Sequence, residues 1–232
     1  TNGLEITNGH INFAAQAVYC FRPEQTTGTT SAGSIKAVTV SNVYHDGANN
    51  VTGVPYGIYV PTETATSDIS SIQFSNCSLG NYVNNSIYAR AVGRGKWRFS
   101  NCNFSGNSGD LTDIDCANGI NGPQWIFTGC MFRDVSNDGL VIGDSRSVQV
   151  VGCTFDGVDG DAIQLNGNID DLNITGNTFT DVGVALDWTP ANVTNFPSIS
   201  GNVGLKHGGN ITPTIEFGGT DTGITYTTQE GW

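Results

Sequence analysis

Residues 72–79 read IQFSNCSL, and this phrase returns four more times along the chain with small changes. The later copies are WRFSNCNF (97–104), WIFTGCMF (125–132), VQVVGCTF (148–155) and LNITGNTF (172–179), and successive copies start 25, 28, 23 and 24 residues apart. A repeat of this length is typical of a solenoid, in which each unit buries its apolar face only against its neighbours. The phrase therefore predicts one elongated domain of stacked coils.

Each copy of the phrase predicts two short strands separated by a bend. In the first copy apolar and polar residues alternate, and the adjacent polar residues Ser75 and Asn76 interrupt that alternation. The bend position holds only residues that tolerate a positive φ, namely Asn76, Asn101, Gly129, Gly152 and Gly176. A third apolar segment follows each phrase, such as DGLVI at 138–142 and DAIQL at 161–165. Three parallel strands per coil predict an all-β fold, a right-handed parallel β-helix.

Weaker copies of the phrase at 4–11, 38–45 and 197–204 extend the prediction to about eight coils within residues 1–210. Longer stretches at 21–33, 46–55 and 61–68 are predicted to project from the corners as loops. Residues 211–232 depart from the repeat and read as a C-terminal β-hairpin, TIEFGG followed by GITYTT. We expect this segment to cap the last coil or to pair with another chain, because an open coil end exposes unpaired backbone.

The composition limits the classes of partner. Lys and Arg total 9 against 21 Asp and Glu, a formal charge of −12. Nucleic acids and anionic membranes carry the same sign, so neither is expected to bind, and a neutral or weakly charged partner fits better. No apolar run reaches the roughly 18 residues that a membrane-spanning helix needs.

All six cysteines fall at positions predicted to face inward, and four of them share one column. Parallel side chains stacked one strand apart do not give the torsion of a disulfide without distortion. The sequence contains no CxxC pair, which disfavours a zinc site. We therefore expect buried thiols that fill space, and we expect no metal and no cofactor.

A polysaccharide-binding face is predicted on the outside of the third strands. Its outward column is predicted to contain Tyr19, Tyr59, Tyr88, Asp115, Val141, Gln164 and Asp187. Phenol rings beside carboxylates and amides suit a sugar, which offers hydroxyl groups and C–H faces. Tyr59, Tyr88, Gln164 and Asp187 are the predicted substrate-binding residues of this column.

Asp138 and Asp161 stand at the entrance of two successive third strands and are the predicted catalytic pair. Stacking would place them about 5 Å apart, the spacing of the two carboxyl groups of a retaining glycoside hydrolase. Asp115 is a further catalytic candidate that would act with an aspartate of a neighbouring coil or subunit. The alternative interpretation is structural, since Asp at a strand entrance is an ordinary turn residue and stacked carboxylates also bind cations or water.

Arg90 belongs to a basic cluster with Arg94, Lys96 and Arg98. A lyase would need such a cation to hold an acidic sugar, and Arg90 is therefore included among the predicted substrate-binding residues. Such a cluster is more often a solvated corner than part of an active site.

The SNC and TGC bends, together with the DGLVIG and DAIQLNG third strands, resemble the right-handed β-helix superfamily of pectate lyases, polygalacturonases, alginate epimerases and phage tailspikes. The resemblance spans about Leu4 to Val203. Asp170-Asp171 and His207-Gly208 are not followed by the Arg-x-Lys segment of polygalacturonases, and Tyr56-Gly57-Ile58 is the only similarity to the epimerase motif. The chain is most similar to tailspikes and tail fibres, which lack a family-wide motif.

That resemblance implies a homotrimer on a phage tail that recognises bacterial surface polysaccharide, either capsule or O-antigen. Members of the group often cleave this glycan with acidic residues, within one subunit or between subunits. Two other hypotheses stay open, a monomeric secreted lyase, hydrolase or epimerase, and an adhesive spike without catalysis.

Overall fold

Parallel strands stack in three columns, and each turn of the chain contributes one strand to each column. The structure is a computed structural model that describes residues 2–12, 17–20, 34–46, 55–60, 68–90, 95–106, 110–114, 122–188, 193–195, 197–205 and 215–217. The described residues form strands, bends and turns without a helix. Accordingly, they include no helix long and apolar enough to cross a membrane.

The strands are numbered in chain order, and each column is a run of neighbours. The first column consists of β1 (Asn2–Asn12), β3 (Ser34–Asp46), β5 (Asp68–Ser75), β8 (Lys96–Ser100), β11 (Gln124–Thr128), β14 (Ser145–Val151), β17 (Ile169–Thr175) and β20 (Ser198–Ser200). The second consists of β6 (Ser78–Gly80), β9 (Asn103–Ser105), β12 (Met131–Val135), β15 (Thr154–Asp161), β18 (Thr178–Val184) and β21 (Val203–Leu205). The third consists of β2 (Ala17–Cys20), β4 (Tyr56–Val60), β7 (Asn85–Ala89), β10 (Thr112–Ile114), β13 (Leu140–Ile142), β16 (Ile163–Leu165), β19 (Leu186–Trp188) and β22 (Ile215–Phe217).

These columns form two sheets. The first and second columns make one 14-stranded sheet, because β3 is continuous and pairs with β5 along its first half and with β6 along its second half. The third column is an eight-stranded sheet of its own. Five coils, from β5 to β19, have three separate strands each, so the complete coils are fewer than the eight predicted. The coils that flank them have merged first and second strands or only short segments.

The bend between the first and second strands is a single left-handed residue in every described coil. Its φ lies between 52° and 66° from Asn42 and Asn76 to Gly152 and Gly176. Asparagine occupies the N-terminal half of this column, where the amides bond from coil to coil, as in Asn76 Nδ2 to Asn42 Oδ1 at 3.2 Å. The predicted bend and its residue types are confirmed.

The interior is filled by side chains that repeat at the same place in successive coils. Phe104, Phe132, Phe155 and Phe179 stack with ring centroids 4.7–5.1 Å apart, and each such pair adds about 0.5–1.5 kcal/mol beyond its buried area. Trp97 and Trp125 form a second stack at 5.2 Å. Each coil is therefore stabilised mainly by the coils on either side of it.

The predicted cysteine column is confirmed for the four members that the structure describes, which are buried free thiols: Cys77, Cys102, Cys130 and Cys153. Hydrogen bonds with the Cys102 and Cys153 thiols, together with burial, raise the pKa of Cys130. Asn177 continues the column in the next coil and is fully buried. Cys130 Sγ donates to Phe99 O at 3.4 Å, and Asn177 Nδ2 makes the equivalent bond to Val150 O at 2.9 Å.

The predicted terminal hairpin is described in part. Its first segment, Ile215–Phe217, pairs in parallel with Leu186–Trp188 as the last strand of the third column. Its second segment, 223–228, lies outside the described residues, so the hairpin stays a prediction. Cys116 and the central part of each predicted corner loop also lie outside the described residues.

Candidate functional site

One column of register positions runs along the outer face of the third-strand sheet. Strand register aligns Tyr59 with Tyr88, and then continues along the axis through Asp113, Val141, Gln164, Asp187 and Glu216. This column agrees with the sequence prediction at Tyr59, Tyr88, Val141, Gln164 and Asp187.

Two predicted members of the column are wrong in register. Asp113, and not Asp115, aligns with Tyr88 and Val141, and Asp115 itself lies outside the described residues. Thr112 is the cause, because this polar residue is fully buried and takes the inward place. Its hydroxyl accepts from Val141 N at 2.9 Å, so a polar side chain is satisfied inside the coil.

At the other end of the column, Tyr19 aligns with the buried Ile58, and Cys20 aligns with Tyr59. Tyr19 therefore does not share the register position of the outward tyrosines. Cys20 takes that position, although the sequence prediction placed it inside.

Three tyrosines and one arginine form a half-exposed cluster at the first coils of this face. The rings of Tyr56 and Tyr59 stack at 4.8 Å, and those of Tyr59 and Tyr88 at 5.4 Å. Arg90 Nε donates to Tyr88 Oη at 3.1 Å, and its guanidinium lies 4.6 Å from the centre of the same ring. These contacts fix the planes and donors that a sugar would meet. Sequence reasoning missed Tyr56 as a member, although its place three residues before Tyr59 was a usable signal.

A ladder of carboxylates lies at the entrance of the third strands in the next coils. Asp138 Oδ1 accepts from Asp161 N at 2.7 Å, and Asp110 Oδ1 accepts from Asp138 N at 3.3 Å. The three aspartates occupy equivalent places in successive coils, since Leu111 N bonds Asp138 O and Gly139 N bonds Asp161 O. The backbones of Asp138 and Asp161 are thus one strand spacing apart, about 4.8 Å, which confirms the predicted stacking of the two residues in successive coils.

The ladder continues into the outward column through amide groups. Gln164 Nε2 donates to Asp161 Oδ2 at 2.9 Å, and Asn166 Nδ2 donates to Gln164 Oε1 at 2.8 Å. Asp138, Asp161, Gln164 and Asp187 are all partly exposed. The face therefore offers carboxylate and amide oxygens and fixed N–H donors side by side.

The backbone around the pair is irregular and tight. The register between β15 and β18 shifts between Val158 and Asp161, which is a β-bulge. Gly160 stands in this bulge, and a Cβ there would collide with Asp138 Oδ1. Bulges often re-aim side chains beside functional sites, and this one brings the backbone against the Asp138 carboxylate.

Chemically, the arrangement provides two neighbouring carboxyl groups next to an aromatic and amide surface. That is enough for hydrogen bonding to sugar hydroxyls. Within the described ranges, no set of three or more His, Cys, Asp or Glu side chains is arranged to hold a metal ion. Arg94 lies outside the described residues, so the basic cluster is seen only around Arg90, Lys96 and Arg98.

A family model described as a right-handed beta helix region matches residues 26–211, about four fifths of the chain. No curated protein matches the chain at a significant level.

Proposed function

Because the chain belongs to the right-handed β-helix family, we propose that it is a receptor-binding β-helix of the phage tailspike type that binds a bacterial surface polysaccharide. The continuous outer face of the third-strand sheet carries this proposal. Along that face, the Tyr56, Tyr59, Tyr88 and Arg90 cluster passes into the carboxylate and amide ladder at the coils of Asp138 and Asp161.

The charge of the face favours a neutral polysaccharide over an acidic one. Asp138, Asp161 and Asp187 are partly exposed on it, and Arg90 is engaged by the Tyr88 ring and hydroxyl. A polyanion would also approach a chain of formal charge −12, which disfavours its association. Hydroxyl groups of a neutral sugar satisfy the same carboxylates and amides without that cost.

Hydrolysis of the bound glycan is the second part of the proposal, with Asp138 and Asp161 as the reacting carboxyl groups. Asp138 Oδ1 and Asp161 Oδ2 take part in the ladder contacts described above, and both side chains are partly exposed to a substrate on this face. One group would donate a proton to the leaving oxygen while the other attacks or stabilises the sugar cation.

Binding and cleavage are tested with a panel of neutral and acidic capsules and O-antigens. We expect Tyr59→Ala and Tyr88→Ala to weaken binding of a neutral member at least about tenfold. Glycan binding that survives both substitutions would contradict the placement of the site. Selective binding of acidic members, lost as salt is raised, would contradict the neutral assignment.

Cleavage is followed as new reducing ends. Asp138→Asn keeps an oxygen that accepts from Asp161 N, so the fold is expected to survive while cleavage is lost. Asp156→Asn, at an exposed position of the second strands, is the matched control. Full cleavage by both Asp138→Asn and Asp161→Asn would refute the catalytic roles.

The trimeric state and the phage tail belong to the same proposal and rest on the resemblance to tailspikes. Light scattering of the purified chain measures its oligomeric state directly. A mass of three chains is expected, and a monomer at micromolar concentration would contradict the tailspike assignment while leaving glycan binding in place.

A further inference from the structure

A polar depression of about 610 Å³ lies on the outer face of the second strands, away from the third-strand face. Strand register brings the residues of its floor together. Gly80, Ser105 and Arg133 align in one column, and Ser78 and Asn103 align in the neighbouring column. Its lining is Tyr44, His45, Ser78, Gly80, Asn81, Asn103, Ser105, Gly106, Arg133 and Asp134.

The depression exists because small residues lie between two large ones. At Gly80, a Cβ would stand 2.7 Å from Ser105 Oγ, and at Gly106 it would collide with Asn81 Oδ1. Gly106 also has a φ of +69°, which side chains rarely adopt. Tyr44 and Arg133 rise at opposite ends, three coils apart in register, on the order of 14 Å.

The lining has the chemistry of a site for a neutral, hydroxyl-rich molecule. The Tyr44 side chain is 51% exposed and offers a ring for stacking. Asn103 Oδ1 is buried and accepts no hydrogen bond from the described residues, which costs free energy unless a bound donor supplies one. Arg133 Nε and Asp134 Oδ2 lie 3.9 Å apart, so their opposite charges offset each other at one end of the depression.

We propose that this depression is a second glycan-binding site, which takes a neutral pyranose with its C–H face on Tyr44 and a hydroxyl bonded to the side-chain amide of Asn103. Ser78 and Ser105 supply hydroxyl groups along the floor. The site rests on the proposed function in that its ligand is a glycan. It is a separate binding surface, since none of its residues belongs to the third-strand face.

The test uses the full chain, isotope-labelled so that its backbone amide signals are observed by nuclear magnetic resonance. The probes are the methyl glycosides of glucose, galactose, mannose, rhamnose and N-acetylglucosamine. Each probe is added to about 10 mM, the range in which single sugars bind weakly. We expect at least one to shift the amide signals of Gly80 and Gly106. Tyr44→Ala and Asn103→Ala should each weaken that binding at least about fivefold.

Two controls match these variants. Thr178→Ala lies in the same outward column as Asn103 but three coils further on, as the pairing of β9, β12, β15 and β18 shows. Tyr59→Ala removes a tyrosine of the third-strand face. Both should leave the probe affinity that is measured from the Gly80 and Gly106 signals within about twofold, and near-ultraviolet dichroism of the stacked aromatic rings confirms that every variant is folded.

The outcomes separate this inference from the proposed function. If no probe shifts Gly80 and Gly106, or if the shifts persist in both Tyr44→Ala and Asn103→Ala, the second site is refuted. Polysaccharide binding that is lost in Tyr59→Ala would then still support the third-strand face. Conversely, probe shifts that depend on Tyr44 support the second site even where Tyr59→Ala has no effect on polysaccharide binding.

Discussion

Replacement of Asn177 tests whether the interior column of thiols and amides holds the coils together. Asn177 is fully buried and accepts from Cys153 N at 2.8 Å through Oδ1. Its Nδ2 donates to Val150 O at 2.9 Å and to Asn202 Oδ1 at 3.0 Å. One side chain therefore connects three successive coils.

The expected loss follows from these contacts. Asn177→Ala leaves the Cys153 N–H buried without a partner, which costs about 1–3 kcal/mol, and removes two further bonds worth about 1 kcal/mol each. The free energy of unfolding should therefore fall by about 3–5 kcal/mol. Asn177→Cys restores the occupant of the preceding coils, whose thiol makes the equivalent but weaker bond, so the loss should be about half as large.

Guanidinium-induced unfolding measures both variants, with the fluorescence of the buried Trp97, Trp125 and Trp188 as the signal. Thr178→Ala, the outward neighbour in sequence, is the control and should change the unfolding free energy by less than about 0.5 kcal/mol. The reasoning is refuted if Asn177→Ala stays within that limit, or if Asn177→Cys is as destabilised as Asn177→Ala.

The remaining predictions concern the bulge, the bend and the thiols. Gly160→Ala should displace the Asp138 carboxylate from Asp161 N and lower the unfolding free energy by about 1–3 kcal/mol; an unchanged midpoint would show that the bulge relaxes freely. Gly176→Asn should be tolerated because its φ is +66° with open space around it, whereas Gly176→Val should cost about 1–2 kcal/mol, and equal midpoints would contradict this. The column thiols should resist iodoacetamide in the folded chain and react after unfolding, because all four are buried and the reagent does not reach them; mass spectrometry of the digested protein measures the labelling, and native labelling of any of the four would contradict the prediction.

The repeated phrase allowed the fold to be predicted because its alternation reports directly which side chains are inside. The inward columns through Phe74 and Leu79 and the left-handed residue at Asn76 follow from that pattern alone. The third strands are shorter and carry fewer apolar residues, so one buried polar residue misleads the prediction. Thr112 is that residue, and it moved the predicted outward position from Asp113 to Asp115.

The sequence predicted only those features of the candidate site that depend on strand register alone. The stacking of Asp138 on Asp161 required no more than the repeat. The hydrogen bond from Asp161 N to the Asp138 carboxylate could not be inferred, because it depends on the Asp138 rotamer and on the bulge at Gly160. The second-strand depression also escaped the sequence analysis, although the small residues Gly80 and Ser105 align once the phrases are superposed.

The single left-handed bend residue has a consequence for how such a chain changes length. One residue absorbs the whole change of direction between the first and second strands, so an insertion within the phrase would exchange the inner and outer sets of side chains. The phrases differ in spacing from 23 to 28 residues among the five strong copies, yet their bends stay aligned. Insertions and deletions are therefore tolerated between strands and excluded within them, which leaves the outer surfaces free to diversify on a fixed interior.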